Sequence, residues 1–426
     1  MIDFLHQIFS SVLIIIACIC FYYLSNENKK NRKQLIWILY SLIFVFAFAL
    51  FANNVIRRLS HSEVWDFTAF YLYGKVAAAG HNYYDPQYFH SVFSTLILPP
   101  QDYSVFQVEA VNVGFLYPPP TILLFTPLGF LSYNTALISW TIFNLLFAAG
   151  CIYLIFDIFL RKYKLNGLLL VSIMFFLLLA VRETVTFSQT NFILLFLLLL
   201  MRKHVDKKYS GILLALAFFT KPYMVIFIFI FIFLKKWKTV GYFIGTSLLL
   251  TALTFIIFSK APFLSYIFDN PSKRLPDWVF SEPINQSLNA ILIRWNLINV
   301  DHPVEYTYVS LGIILPGAIY LFYLAKNKLY DFAWAFLLLL ALLIYPGTLS
   351  YYGVLLLFIV SQFFDETKQL GFKNIYLNIL IMGVFYLLSS VSVFSAICFL
   401  LVVVVLKSGF IKKTNEYAGS LNMPTV

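Results

Sequence analysis

Residues 63–89, EVWDFTAFYLYGKVAAAGHNYYDPQYF, form the first long polar interruption in a chain that otherwise reads as lipid-soluble helices. Asp66 stands at the start of a helical pattern. Asp is a good N-cap, and Phe67, Phe70, Tyr71, Gly74 and Ala78 then recur at helical spacing until Gly80 stops the run. The spacing predicts an amphipathic helix along the membrane surface, with Trp65, Tyr71 and Tyr73 at the interface, where a ring has one wet and one apolar side. A carboxylate held there faces water and lipid headgroup together. Asp66 therefore either caps the helix and nothing more, or carries chemistry.

The rest of the composition sets the class. Of 426 residues, 61% are hydrophobic, 19% aromatic and 12% charged, which leaves too little polar surface for a water-soluble enzyme. Apolar windows long enough to cross roughly 30 Å of hydrocarbon recur from end to end, and the gaps between them are too short for a sizeable soluble domain. The expectation is one polytopic domain over 1–426, with a first outer loop at 57–117 and a second at 260–305. The run at 4–24 lacks a basic leader and a small-residue cleavage site, so it is expected to be a retained helix. Cys18, Cys20, Cys151 and Cys398 all fall in apolar windows and suggest neither a disulfide framework nor a metal site. The net charge of +11 is explained by basic residues flanking membrane crossings, without nucleic acid.

Lys29, Lys30, Arg32 and Lys33 place the loop between the first two crossings in the cytoplasm, and alternation from there predicts about thirteen crossings with the N-terminus outside. This arrangement assigns 21 of the 30 Lys and Arg to the inner side, and 12 of the 19 acids to the outer side. The apolar core between Pro120 and Pro127 is too short to span and reads as re-entrant or surface-lying, and a second amphipathic run is expected near 88–98. At TKP, two short apolar runs meet, which puts Lys221 at or just beneath the outer surface.

Polar groups at membrane depth are costly unless they pair with one another or with a ligand. Asp66, Lys75, Arg182, Gln189, Asn191, Lys221, Asn285, Gln286 and Arg294 all fall on the predicted outer face, as a binding cavity there would need. Gln189 and Asn191 are equally readable as amides bridging helices, and Lys75 and Arg182 as snorkelling side chains. His61, His81 and His90 do not share a metal-binding helical face, and the sequence contains no Walker loop, dinucleotide fingerprint, HExxH or nucleophile elbow.

Five motifs occur in one order: DFTAFYLYGKVAAAGHNYYDP at 66–86, LYPPPTILLFTPLGFLSYNTA at 116–136, SQTNFILLFLLLL at 188–200, SGILLALAFFTKP at 210–222 and NQSLNAILIRW at 285–295. Together they resemble glycosyltransferase family 87, the polyprenyl-phosphate-sugar-dependent mannosyltransferases of GT-C type. The resemblance implies an all-α, polytopic GT-C membrane fold with outer-side juxtamembrane helices. It also implies transfer of a hexose, mannose by the family's pattern, from a lipid-linked donor to a glycan or glycolipid on the non-cytoplasmic side of the cytoplasmic membrane. The family's catalytic aspartate falls on Asp66. Lys221 and Arg294 suit the donor phosphate, and Tyr117, Lys75, Gln189, Asn191, Asn285, Gln286 and Tyr351 complete the expected substrate contacts. One departure is visible: in YPGTLSYYGVLL at 345–356, Leu349 stands where Trp is usual and Tyr351 replaces a His, leaving Tyr351 or Tyr352 to donate a hydrogen bond. The donor would already carry a charged leaving group, and no DxD-like acidic pair is present, so neither metal nor cofactor is expected. The alternative is a transporter or flippase of lipid-linked sugars, which paired interrupted helices in both halves would favour.

Overall fold

The computed structural model describes residues 2–25, 33–60, 65–93, 115–269, 278–299, 303–365 and 369–420. Lys29, Lys30, Arg32, His61, Asp277 and residues 94–98 of the 88–98 run lie outside them. The described residues are helical, with no strand beyond one isolated bridge between Asn285 and Leu349. Among the described residues, six helical runs are long and apolar enough to cross a bilayer: Ile8–Ser25, Lys33–Ser60, Tyr133–Leu177, Trp237–Phe258, Val304–Lys326 and Val393–Ile411. Their flanks are open, with Leu248 65%, Ile256 77% and Leu315 63% exposed. Surfaces of that kind are stable only against an apolar solvent, so the chain is a multi-pass membrane protein. Five further apolar stretches of 10–17 residues, such as Ser210–Thr220 and Ile375–Val391, are shorter than a full span of about 20.

The chain gathers into two compact units built from interleaved segments, residues 1–48, 155–181 and 280–426 in one and 49–154 and 182–279 in the other. The interleaving explains why composition shows no boundary along the sequence. In the first unit, Ile2–Ser25 packs on Ile375–Val391 and Lys164–Leu177, while Tyr330–Ile344 is buried along nearly its whole length beside Pro303–Lys326 and Val393–Ser420. The predicted span at 167–181 is broken: Leu178 is extended with ψ 124, and a new helix, Leu179–Thr186, follows.

In the second unit, the Trp65–Ala78 helix packs on Ile122–Gly129 and on Pro86–Phe93. Two expectations are corrected here. The 65–78 helix is no amphipathic surface helix, because Phe67, Phe70, Tyr71, Leu72, Tyr73, Val76 and Ala77 are all buried. Those side chains project all around the helix, and a helix apolar on every side is a buried one. Asp66 is also not the N-cap but lies within the first turn of a helix that begins at Trp65. The prolines at 118–120 enter a short 3₁₀ turn, Pro119–Thr121, and the Ile122–Gly129 helix that follows turns Ile122, Phe125 and Leu128 inward.

The approach of these two helices is set by glycine. A β-carbon on Gly74 would stand 2.1 Å from the carbonyl oxygen of Phe125, and one on Gly129 would stand 2.2 Å from the carbonyl oxygen of Gly74. Backbone lies against backbone there, as small residues permit in membrane helix pairs. Gly74→Ala is therefore expected to destabilise the protein by about 1–3 kcal/mol or more, since backbone must move to admit the methyl group. Gly245→Ala, in a helix with nothing within 4 Å of the new carbon, should be neutral or slightly stabilising. Thermal unfolding in detergent separates the two, and equal shifts would contradict the packing described.

Candidate active site

The site is built around the turn that joins Leu179–Thr186 to Asn191–Lys203. Ser188 N–H donates to Val185 O at 3.1 Å and Gln189 N–H to Thr184 O at 3.0 Å, the two bonds of a Schellman motif. The left-handed position is filled by Ser188, φ 51, where glycine is usual. A left-handed side-chain-bearing residue costs roughly 1–2 kcal/mol, so the surroundings must hold it. They do so from two sides. Arg58 Nε donates to Ser188 Oγ at 2.9 Å, and Trp140 Nε1 donates to Ser188 O at 2.8 Å. Two such bonds, each about 1 kcal/mol net, offset the strain.

The next residue reaches the carboxylate. Gln189 is buried, and its Nε2 donates to Asp66 Oδ2 at 2.5 Å. Its Oε1 is buried and has no protein partner among the described residues. Asp66 itself is partly exposed. Burial of the carboxylate raises its pKa from the ordinary 3.8 to about 6; the Gln189 hydrogen bond and the positive charges of Lys221 and Arg58 pull the other way and limit the rise. The group therefore ionises near neutral pH while keeping appreciable basicity.

Lys221 arrives from the TKP break. Pro222 disfavours helix at the residue before it, and Lys221 is accordingly extended at φ −148, ψ 113, after the Ser210–Thr220 helix has ended. Its ammonium is almost wholly buried, donates to Tyr117 Oη at 3.3 Å and lies 4.9 Å from the centre of the Tyr117 ring. Tyr117 is held in turn by Tyr84, whose hydroxyl donates to Tyr117 O at 2.5 Å. Segments around 66, 117, 189 and 221 thus converge on one carboxylate and one cation. Asn191 follows in the first turn of its helix, fully buried. Lys75 lies in the last turn of the Asp66 helix and Arg182 in the 179–186 helix, both partly exposed.

Residues 115–351 match the family model for glycosyltransferase family 87, more than half of the chain. The chain belongs to glycosyltransferase family 87. No curated protein and no solved structure matches it. The family-87 match takes in Tyr117, Gln189, Asn191, Lys221, Asn285, Gln286, Arg294 and Tyr351, while Asp66 and Lys75 lie N-terminal to it.

Four of the sequence-selected residues belong to the other unit and form a set of their own. Asn285 Nδ2 donates to Pro346 O at 3.0 Å, and its Oδ1 accepts from Ser287 N–H at 3.0 Å. Gln286 Nε2 donates to Pro283 O, and its Oε1 accepts from Ser392 Oγ at 2.7 Å. Arg294 Nη1 donates to the carbonyls of Glu282 and Asn285, each at 2.9 Å. Asn285 thus ties the 282–287 turn to the 346–350 loop, Gln286 ties it to Ser392, and Arg294 closes the 288–294 helix back onto it. Tyr351 is buried in the 3₁₀ segment Ser350–Leu356, edge-on to Tyr352.

The sequence reading did not select Arg58. It placed the start of the outer loop at residue 57, but the helix runs on to Ser60, so Arg58 is a buried helical side chain. The signal available was an arginine pair at the end of an apolar span, on the side where the charge bias predicts few basic residues.

Proposed function

We propose that this family-87 glycosyltransferase moves a hexose, mannose by its family resemblance, from a polyprenyl-phosphate donor to a hydroxyl of an extracytoplasmic glycan or glycolipid. The observation that carries the reading is the convergence of Asp66, Gln189 and Lys221 within one unit, with the carboxylate tuned to about 6. Asp66 takes the proton of the acceptor hydroxyl, the oxygen forms a bond to the anomeric carbon, and the bond from that carbon to the phosphate oxygen breaks. Lys221 stabilises the polyprenyl phosphate that departs, a lipid anion whose tail remains in hydrocarbon. Gln189 holds the carboxylate by its amide N–H and offers its buried carbonyl oxygen to a substrate hydroxyl. Because the leaving group already carries its charge, this reading assigns no step to a metal.

Asp66→Asn is expected to express and bind donor as the wild type does and to lose at least the roughly 100-fold in turnover that general-base catalysis supplies. The assay is transfer from radiolabelled polyprenyl-phosphate mannose to a cell-envelope acceptor fraction, with the protein in nanodiscs. Near-normal turnover would sink the assignment. Lys221→Met should weaken donor binding more than acceptor binding, and Lys221→Arg should restore part of it. Donor affinity unchanged in Lys221→Met would remove Lys221 from the phosphate site.

The side of the reaction rests on the bias of basic residues, and the cytoplasmic membrane on the family resemblance. A cysteine placed at exposed Gln87 should react with an impermeant thiol reagent in intact cells, and one at exposed Lys207 should be spared. The reverse pattern would overturn the proposed side.

A further inference from the structure

Ser188 is a strained residue one position before the glutamine that holds the carboxylate, and Arg58 is clamped to it from another helix. The geometry points to Arg58 as a positioning residue: by gripping the Ser188 hydroxyl in the left-handed turn, it fixes where the Gln189 amide stands and so how the Asp66 carboxylate is aimed. This rests on the reading of Asp66 as the base. The chain of contacts runs Arg58 Nε to Ser188 Oγ at 2.9 Å, Ser188 to Gln189 through one peptide bond, and Gln189 Nε2 to Asp66 Oδ2 at 2.5 Å. Trp140 holds only the carbonyl of Ser188, so the hydroxyl is left to Arg58.

The clamp suits a left-handed turn without glycine. Glycine would adopt φ 51 unaided but would also leave it readily, since it populates many other conformations. A serine held by a guanidinium stays in one state, and a catalytic carboxylate needs its partner within a few tenths of an ångström. Arg58 is itself buried, on the last turns of the Lys33–Ser60 helix, and cannot relax toward water without leaving the turn.

Among the described residues, the charged and titratable groups facing Asp66 are Lys221, Arg58 and, from its own helix, Tyr73. Loosening the Gln189 amide removes a donor that favours the ionised carboxylate, so the base would protonate at higher pH. Ser188→Ala keeps the charge of Arg58 and deletes only the grip. It is therefore the variant that separates positioning from through-space electrostatics.

The test uses full-length protein in nanodiscs, polyprenyl-phosphate [14C]mannose and a cell-envelope acceptor fraction. Ser188→Ala is expected to lower kcat about tenfold with KM nearly unchanged, and to move the acid limb of the rate profile to higher pH. Ser188→Gly should recover a substantial part of that loss, because glycine takes the left-handed conformation without help. In a Gln189→Ala background, Ser188→Ala should cost less than about twofold more, since the two residues act through one contact. Losses that multiply, a glycine variant as slow as the alanine variant, or an acid limb that does not move would each overturn the inference. Arg58→Met should lose turnover at least as far as Ser188→Ala; if it fails to fold, as judged by expression and thermal unfolding, the Ser188 variants decide alone. Full turnover in Gln189→Ala with Asp66→Asn inactive defeats this inference and leaves the base standing, whereas full turnover in Asp66→Asn defeats the reading beneath it.

Discussion

A carboxylate drawn largely out of water is the constraint on which the site depends. Burying most of Asp66 disfavours its charged form, and the protein compensates with one short hydrogen bond and two cations on other segments. Each compensating group sits where a helix ends. Gln189 follows a left-handed cap, Lys221 precedes a proline, and Arg58 lies near the end of its helix. The balance leaves the group near neutrality, where a carboxylate is both ionised and basic enough to accept a proton from a hydroxyl.

Rigidity around that carboxylate comes from close packing. The Gly74–Gly129 crossing brings two helices into backbone contact, and aromatic rings fill the space beside it, with Phe70 stacked on Phe125 at 4.6 Å. Tyr71 donates to Leu131 O at 3.0 Å, and Thr68 shares a 2.8 Å hydrogen bond with Tyr133. The helix that carries Asp66 is thereby pinned along its length. The burial of this aromatic-rich helix limits the access of water to the site.

Much of this was legible in the chain. Hydropathy alone indicates an all-α membrane protein, and Asp66, the SQTN turn and the TKP break stand out because polar residues there interrupt apolar runs. The sequence could not say which polar residues would meet. Asn285, Gln286 and Arg294 share the chemistry of Gln189 and Lys221, yet their groups are taken up by backbone carbonyls and Ser392. For Asn285 and Gln286 the partners Pro346 and Ser392 lie more than 60 residues away, which no local pattern encodes, whereas Arg294 closes on carbonyls 9 and 12 residues before it. Arg58 escaped notice for a related reason: beside Arg57 at the end of a span it reads as a flanking charge, and only the tertiary fold turns it inward. The 65–78 segment has helical periodicity but no polar face, since Asp66, Thr68 and Lys75 are scattered among apolar and aromatic residues, and such a helix is buried on every side.

The central claim, that Asp66 works as a base in this environment, is tested most directly by the pH dependence of kcat/KM, which reports groups of the free enzyme. A base must be ionised, so with its pKa raised to about 6 the rate should fall as pH drops through 6 and be level above it until another group intervenes. In Asp66→Asn the residual rate should lose that limb altogether. A wild-type profile flat from pH 8 to 5, or a limb near 6 that survives in Asp66→Asn, would contradict the account.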